Sequence, residues 1–325
     1  MNVAVSRPAQ PTISCVIPAY NESANIAAFL EALHSELLHH SSQVEMIVVN
    51  DGSRDDTTAR VIAASQQLPV KLIDFSRNFG KEAALTAGIE HAECDVVILI
   101  DADFQHPVET ISVFMTQWRA GFDMVYGVRT DRIGESVLKR KSANLFYWLV
   151  DRMSSVELPA DAGDFRLLDR KVVQALRQLP ERNRFMKGLY SWVGFTSVGV
   201  PFEVKDRAGG QTSFTFRNLW KLAMTGLVSF SDIPLRMWTV IGLVVSGISF
   251  LYAIYVVIKT MILGPDTSGW PTIVVAIMFF GGVQLISIGV LGEYIARIFN
   301  EVKQRPTYLV KGYHGFTANE KNTLR

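Results

Sequence analysis

ISCVIPAYNESANIAAFLEALHSEL, residues 13–37, holds two hydrophobic periods in succession. Residues 13–17 form a short apolar run that reads as a strand. Past a break at residues 18–22, Ile26, Phe29, Leu30, Leu33 and Leu37 recur three and four apart and mark one face of a helix. The unit repeats downstream. Residues 46–49, 70–75 and 96–100 read as further strands, and 56–68 and 81–92 as helices, the first of which Asp55 or Asp56 can cap. Strand and helix alternating in this way predict a mostly parallel sheet with helices on both faces. Ligands of such sheets bind beyond the carboxyl ends of the strands.

Three polar clusters stand at those ends: Pro18-Ala19-Tyr20-Asn21-Glu22, Asn50-Asp51-Gly52-Ser53 and Asp101-Ala102-Asp103. Any one alone is an ordinary turn, but together they open onto one edge of the sheet. On an extended chain Asp101 and Asp103 point the same way, and two carboxylates so close call for a cation between them. Oxygen ligands favour Mg²⁺ or Mn²⁺, with substrate phosphates completing the shell. Gln105 and His106 follow closely, placed to add a ligand or a hydrogen bond. The sequence has no Walker A motif, no G-x-G-x-x-G after the first strand and no G-x-S-x-G, which removes support for kinases, NAD enzymes and serine hydrolases.

Composition points to a membrane. Of the 325 residues 49% are hydrophobic, and the net charge is +1, so no overall field argues for nucleic acid. Residues 1–100 carry 6 Lys/Arg against 12 Asp/Glu, and residues 129–187 carry 13 against 8, so an acidic half suited to a metal precedes a basic one suited to phosphates. Residues 237–258 and 267–292 are free of charge, each long enough for a spanning helix of roughly 20 residues. Lys221 and Arg236 before this hairpin, and Arg297, Lys303, Arg305 and Lys311 after it, place both of its ends in the cytoplasm. Trp238 and Trp270 sit near the run ends, where interfacial indoles are common. Residues 214–230 mix Phe216, Leu219, Trp220 and Leu222 with Arg217 and Lys221, a pattern that suits either the membrane interface or packing on the globular domain. The N-terminus has no apolar core of signal-peptide length and is expected in the cytoplasm, and Cys15 and Cys94 are expected as free thiols.

IPAYNE, VVNDGS, RNFGKEAAL, LIDADFQHP, GDFRLLDR, RFMKGLYSWVG and LGEYIARI together resemble the polyprenyl-phosphate glycosyltransferases. These are inverting family-2 glycosyltransferases, and the pattern is most similar to the bactoprenol glucosyltransferase (GtrB) type. The resemblance covers nearly the whole chain. It implies an α/β fold: a nucleotide-sugar-binding, Rossmann-like domain of the glycosyltransferase A-type over residues 1–212, then a C-terminal two-helix transmembrane hairpin. An amphipathic segment at 213–236, the hairpin at 237–296 (spans about 237–258 and 270–292) and a cytoplasmic tail at 297–325 complete the division. By position, Pro18, Tyr20, Glu22, Asp51, Lys81 and Asp101 are similar to residues that hold the nucleotide sugar. Asp101, Asp103 and Gln105 correspond to the ligands of Mg²⁺ or Mn²⁺. Asp164 and Asp103 are the expected catalytic carboxylates, and Arg129, Lys205 and Arg207 the acceptor-phosphate residues. His106-Pro107-Val108 stands where relatives often carry Asp-Pro-Pro, and Gly210-Gln211-Thr212-Ser213 where many carry Glu-Thr-Lys.

The reaction so implied moves one sugar, glucose from UDP-glucose, to undecaprenyl or another polyprenyl phosphate at the cytoplasmic face of a bacterial inner membrane. Galactose, N-acetylglucosamine and GDP-mannose donors remain open, as does a lipid acceptor such as diacylglycerol. The partners implied are the nucleotide sugar, the polyprenyl phosphate, the bilayer, further copies of the chain in a homo-oligomer, and a flippase that takes the product to O-antigen or another surface glycan. A membrane-tethered nucleotide-sugar scaffold is the rival outside enzymes. For Asp164 the residues leave several roles open: base, metal ligand through water, orienting group, helix cap, or ion pair with Arg166.

Overall fold

The computed structural model describes residues 7–130, 162–182, 184–203, 233–264 and 269–317. Lys205, Arg207, the Gly210–Ser213 motif and the amphipathic segment up to residue 232 lie outside them, while residues 233–236, expected in that segment, begin a long helix.

The elements in chain order are β1 (Ile13–Ala19), α1 (Ile26–Leu38), β2 (Val44–Asn50), α2 (Thr57–Ala64), β3 (Val70–Phe75), α3 (Lys81–His91), β4 (Val96–Leu99), α4 (Thr110–Arg119) and β5 (Met124–Arg129). After these come β6 (Ala162–Asp169), α5 (Arg170–Gln178), α6 (Met186–Trp192), β7 (Ser197–Phe202), α7 (Ile233–Leu263), α8 (Trp270–Val302) and β8 (Val310–His314). The eight strands form one sheet in the order β7-β5-β6-β4-β1-β2-β3-β8. Its centre is parallel, as the alternation predicts: β1 pairs in parallel with β2 and β4, and β2 with β3. The flanks are mixed, because β6 runs antiparallel to both β4 and β5, and β8 antiparallel to β3.

Side chains alternate across each strand, so the sheet divides its apolar residues between two cores. Ile13, Cys15 and Ile17 face one core with the α1 stripe (Ile26, Phe29, Leu30, Leu33, Leu37) and Phe114 of α4. Val16, Ile47, Val49, Val97 and Leu99 face the other, with α3, α5 and α6. Helix α3 is buried on most of its surface and lies hard against the sheet: a Cβ on Gly88 would stand 2.1 Å from Val16 Cγ1. Ahead of α2 it is Asp55 whose carboxylate accepts from Thr57 N at 3.1 Å, while Asp56 makes no side-chain cap bond. Desolvation would raise the Asp55 carboxyl, but hydrogen bonds from Thr57 and Ser23 together outweigh it and bring it down to about 2.

Helices α7 and α8 contain two stretches, Val244–Ile262 and Val275–Val302, long and apolar enough to cross a membrane, and neither is buried by the rest of the protein. Ile248, Leu251, Met261, Ile277 and Met278 are among their exposed side chains, a surface costly in water and suited to lipid. The chain then returns to the α/β domain. Glu301 near the end of α8 accepts from Arg182 N at 3.2 Å, and Arg182 Nη1 donates to Arg305 O at 2.7 Å. Tyr308 stacks on Phe75 with ring centroids 4.9 Å apart and donates to Glu90, after which β8 closes the sheet edge. Residues 310–314 of the expected tail are thus part of the fold.

Candidate active site

The ends of β1, β2 and β4 open onto one edge, and side chains lace the loops there together. Asn21, at φ 56°, donates its N–H to Ser53 Oγ and accepts from Arg54 N through Oδ1. Glu22 N–H donates to Thr57 Oγ1. The Asn50 side chain joins Thr58, Asp74 and Ser53. Asp51 is buried, and its two carboxylate oxygens accept the N–H groups of Phe79 (2.6 Å) and Gly80 (2.9 Å) at the entry to α3. Burial raises the Asp51 carboxyl against the pull of these hydrogen bonds. Gly52, at φ +66°, packs where a Cβ would lie 2.4 Å from the backbone carbon of Arg77. The close approach leaves no room for a Cβ, and the positive φ further disfavours an L side chain. Gly52→Ala is therefore expected to destabilise the catalytic domain by about 2 kcal/mol or more. Thermal unfolding of the purified protein checks this, and an unchanged Tm would contradict it.

Lys81, the first residue of α3, is the hub of the site. Its Nζ lies 2.8 and 2.9 Å from the two Asp101 oxygens and 2.7 Å from Asp164 Oδ2. Strand register explains why the two carboxylates meet. Residues Val96 and Leu99 of β4 pair with Asp169 and Arg166 of antiparallel β6, so Asp101, two residues past the last pair, and Asp164, two residues ahead of it, leave the pairing at the same end. The Lys81 ammonium thus bridges Asp101 and Asp164. Desolvation opposes its charge, but Asp101 and Asp164 outweigh it and push the Lys81 pKa up. Burial likewise would raise Asp164, yet Lys81 and Lys187 overcome it and hold the carboxyl below its usual range.

Asp103 stands apart from this pair. Strand β4 ends at Leu99 and the chain turns, with Phe104 at φ 57°, so the extended path that would align Asp101 with Asp103 stops before them. One Asp103 oxygen accepts from Gln105 N at 3.1 Å. Pro18 and Glu22 are half-buried, Tyr20 is exposed, and Arg129 is exposed at the end of β5. A helix cap and an Arg166 ion pair are both excluded for Asp164. It lies inside β6, and its ion pair is with Lys81.

Residues 14–177 match the family model for glycosyl transferase family 2, and residues 233–298 match the GtrB C-terminal hairpin. The chain is 46% identical over 304 residues to a prophage-derived bactoprenol glucosyl transferase of Shigella flexneri, covering 93% of this chain and 98% of that one. An uncharacterized glycosyltransferase of Synechocystis is also 46% identical, over 93% of this chain and 96% of its own. This chain belongs to glycosyltransferase family 2. A glucosyl-3-phosphoglycerate synthase from Mycobacterium tuberculosis, solved with Mn²⁺ and UDP-glucose, aligns with TM-score 0.46 and 20% identity over 67% of this chain and 78% of that one.

In this family-2 enzyme Glu82 and Lys187, near the hub, escaped sequence reasoning, and Arg166 entered it only as an ion-pair candidate for Asp164. Glu82, next to Lys81, accepts from Met186 N at 3.0 Å. Burial and then the Asp164 charge raise it to about 7, against that bond and the charges of Lys81 and Lys187. Lys187, in α6, is pushed down by burial although Asp164 draws it up. Arg166 is 2% exposed, donates from Nε to Gly163 O at 3.0 Å, and lies 4.4 Å from the Tyr190 ring centroid. It thereby braces the backbone just ahead of Asp164. The RNFGKEAAL, GDFRLLDR and RFMKGLYSWVG motifs contain all three, but only their meeting in space shows the cluster.

Among the described residues no three His, Cys, Asp or Glu side chains form a metal-holding group. Asp101, Asp103 and Gln105 offer hard oxygens, and Mg²⁺ takes one or two carboxylates plus substrate phosphates. This donor set fits a cation that draws its remaining ligands from a diphosphate.

Proposed function

We propose that the protein transfers one sugar, glucose from UDP-glucose, to a polyprenyl phosphate with inversion at the anomeric carbon. The observation that carries this reading is the Lys81-bridged pair of Asp101 and Asp164 at the strand ends of a family-2 chain with a GtrB hairpin. The relatives named bactoprenol glucosyl transferases support the acceptor and the sugar.

The chemistry needs little base. A phosphate monoester has a second pKa of about 6, so the acceptor is mostly dianionic at pH 7. One of its oxygens attacks the anomeric carbon opposite the diphosphate. The new C–O bond forms as the old one breaks, and the electron pair leaves with the nucleoside diphosphate. Asp164, held ionised by Lys81 and Lys187, stabilises positive charge developing at that carbon and orients the sugar. Pro18, Tyr20, Glu22 and Asp51 hold base and ribose, and Lys81 turns its ammonium to the diphosphate. Asp101, Asp103 and Gln105 would hold Mg²⁺ or Mn²⁺, which when bound neutralises the leaving group. Arg129, with Lys205 and Arg207 ahead of the hairpin, takes the acceptor phosphate, for which the planar guanidinium fork is suited.

The hairpin brings the enzyme to its substrate. Each methylene of a polyprenyl tail pulled into water costs about 0.8 kcal/mol, so the phosphate stays at the bilayer surface. The Lys/Arg residues flanking the hairpin favour a cytoplasmic catalytic face. A product made there requires a flippase before it can serve an outer glycan such as O-antigen, and the enzyme acts as a homo-oligomer.

Labelled UDP-glucose, UDP-galactose, UDP-N-acetylglucosamine and GDP-mannose, each offered with polyprenyl phosphate or diacylglycerol to purified protein, test this reading. Label is expected in polyprenyl phosphate from UDP-glucose, and label only in diacylglycerol would overturn the acceptor. The same assay on inverted and right-side-out vesicles reads orientation, because the nucleotide sugar does not cross the membrane. Transfer is expected in the inverted vesicles alone.

A further inference from the structure

His106 lies three residues beyond Asp103, and 3% of its surface is exposed. Its ring is wedged between Phe165, 5.1 Å away by centroid, and Phe202, 5.3 Å away. Phe165 directly follows Asp164, so the wedge is continuous with the strand that carries that carboxylate. The Nδ1 atom of His106 is buried without a hydrogen-bond partner, and it stands 4.0 Å from Asp101 Oδ2. That separation exceeds the 2.7–3.2 Å of a hydrogen bond. An unpartnered buried nitrogen costs about 1–3 kcal/mol, whereas phenylalanine would fill a slot between two aromatic rings without that penalty. Packing alone therefore does not account for an imidazole here. Asp101 does. Its oxygens are engaged by Lys81 Nζ, and its Oδ2 is the carboxylate oxygen that Nδ1 approaches.

We propose that His106 is a positioning residue for Asp101, a hydrogen-bond donor held in reserve. When a divalent cation and a nucleoside diphosphate draw Lys81 away from Asp101, the Nδ1–H of His106 takes Oδ2 and leaves the other oxygen to the cation. Carboxylates that bind metals are commonly fixed in this way by a neighbouring donor. This inference rests on the metal reading above, and its test separates the two.

The readout is Mn²⁺ affinity of the full-length protein in detergent with UDP, by calorimetry and by Mn²⁺ electron paramagnetic resonance. Wild type is expected to bind Mn²⁺; no binding would overturn the metal reading and this inference together. His106→Phe is expected to hold or raise the unfolding temperature and to weaken Mn²⁺ binding about tenfold. His106→Asn places an amide nitrogen near Nδ1 and should recover binding to within about threefold, whereas His106→Gln reaches toward the Nε2 side and should not. In an Asp101→Asn background the Phe substitution should change affinity less than about twofold, since coupled residues lose their mutual effect when one is gone. The Asn and Gln pair decides the matter should the Phe variant fold poorly. Wild-type affinity in the Phe and Gln variants would overturn the role. So would ¹⁴N coupling to Mn²⁺ that disappears in His106→Phe, which would make the imidazole a direct ligand.

Discussion

Asp164→Asn is expected to lower kcat for sugar transfer by about 10³-fold or more, close to 4 kcal/mol of transition-state stabilisation. Asparagine keeps the size of the side chain and removes its charge. That charge lies 2.7 Å from Lys81 Nζ, which also holds Asp101. Without it, Lys81 and Lys187 face an anomeric carbon that becomes positive in the transition state, and their repulsion adds to the lost attraction. The donor's KM should change much less, within about threefold, because the residues at the ends of β1 and β2 proposed to hold the nucleotide are untouched. Steady-state kinetics on purified protein separate the two parameters, and circular dichroism confirms the fold. A kcat within tenfold of wild type would remove Asp164 from the reacting centre. Loss in KM alone would move it to donor binding.

What could be read beforehand, and what could not, follows from the range of the forces involved. Helix α1 was legible because one stripe carries it: Ile26, Phe29, Leu30, Leu33 and Leu37 are all fully buried. Strand β3 coincides with residues 70–75 because its apolar run is bounded by turn residues on both sides. Strand β6 is obscured by its own charged residues. AGDFRLLD carries Asp164 and a buried Arg166 at positions where a strand normally shows apolar side chains, so its period is broken by the residues that matter most. Strand β8, VKGYH, has too few apolar residues to show a period, and its place is set by β3, far away in sequence. The same limit applies to the site. Three strand-end clusters could be predicted to converge from topology alone. The junction of Lys81 with Asp101 and Asp164 depends on an antiparallel β4–β6 pairing that no local pattern announces. Residues 96–103 suggested two aligned carboxylates, but the turn after Leu99 gives them different partners.

That difference in partners makes Asp103 the cleaner probe of the metal. Asp103→Asn is expected to reduce transfer at least about 100-fold, equivalent to about 2.7 kcal/mol, while leaving expression and membrane insertion unchanged. Its Oδ1 accepts the Gln105 N–H, and an asparagine oxygen can do the same, so the turn that presents the residue survives the substitution. What disappears is the anionic charge, on which a hard divalent cation depends more than on the presence of an oxygen. Asp101→Asn would be harder to interpret, since it also frees one side of Lys81 and disturbs the link to Asp164. Wild-type enzyme in excess EDTA should fall to the level of the Asp103 variant, and added Mg²⁺ or Mn²⁺ should restore it. The variant should respond to added Mn²⁺ only at much higher concentration, because its remaining ligands and the diphosphate still provide part of a shell. Initial rates over a Mn²⁺ titration measure both effects. Full wild-type activity in chelator would mean that Lys81 and the arginines alone neutralise the leaving diphosphate. In that case the ammonium between Asp101 and Asp164 would be the working cation of the site, with no metal replacing it.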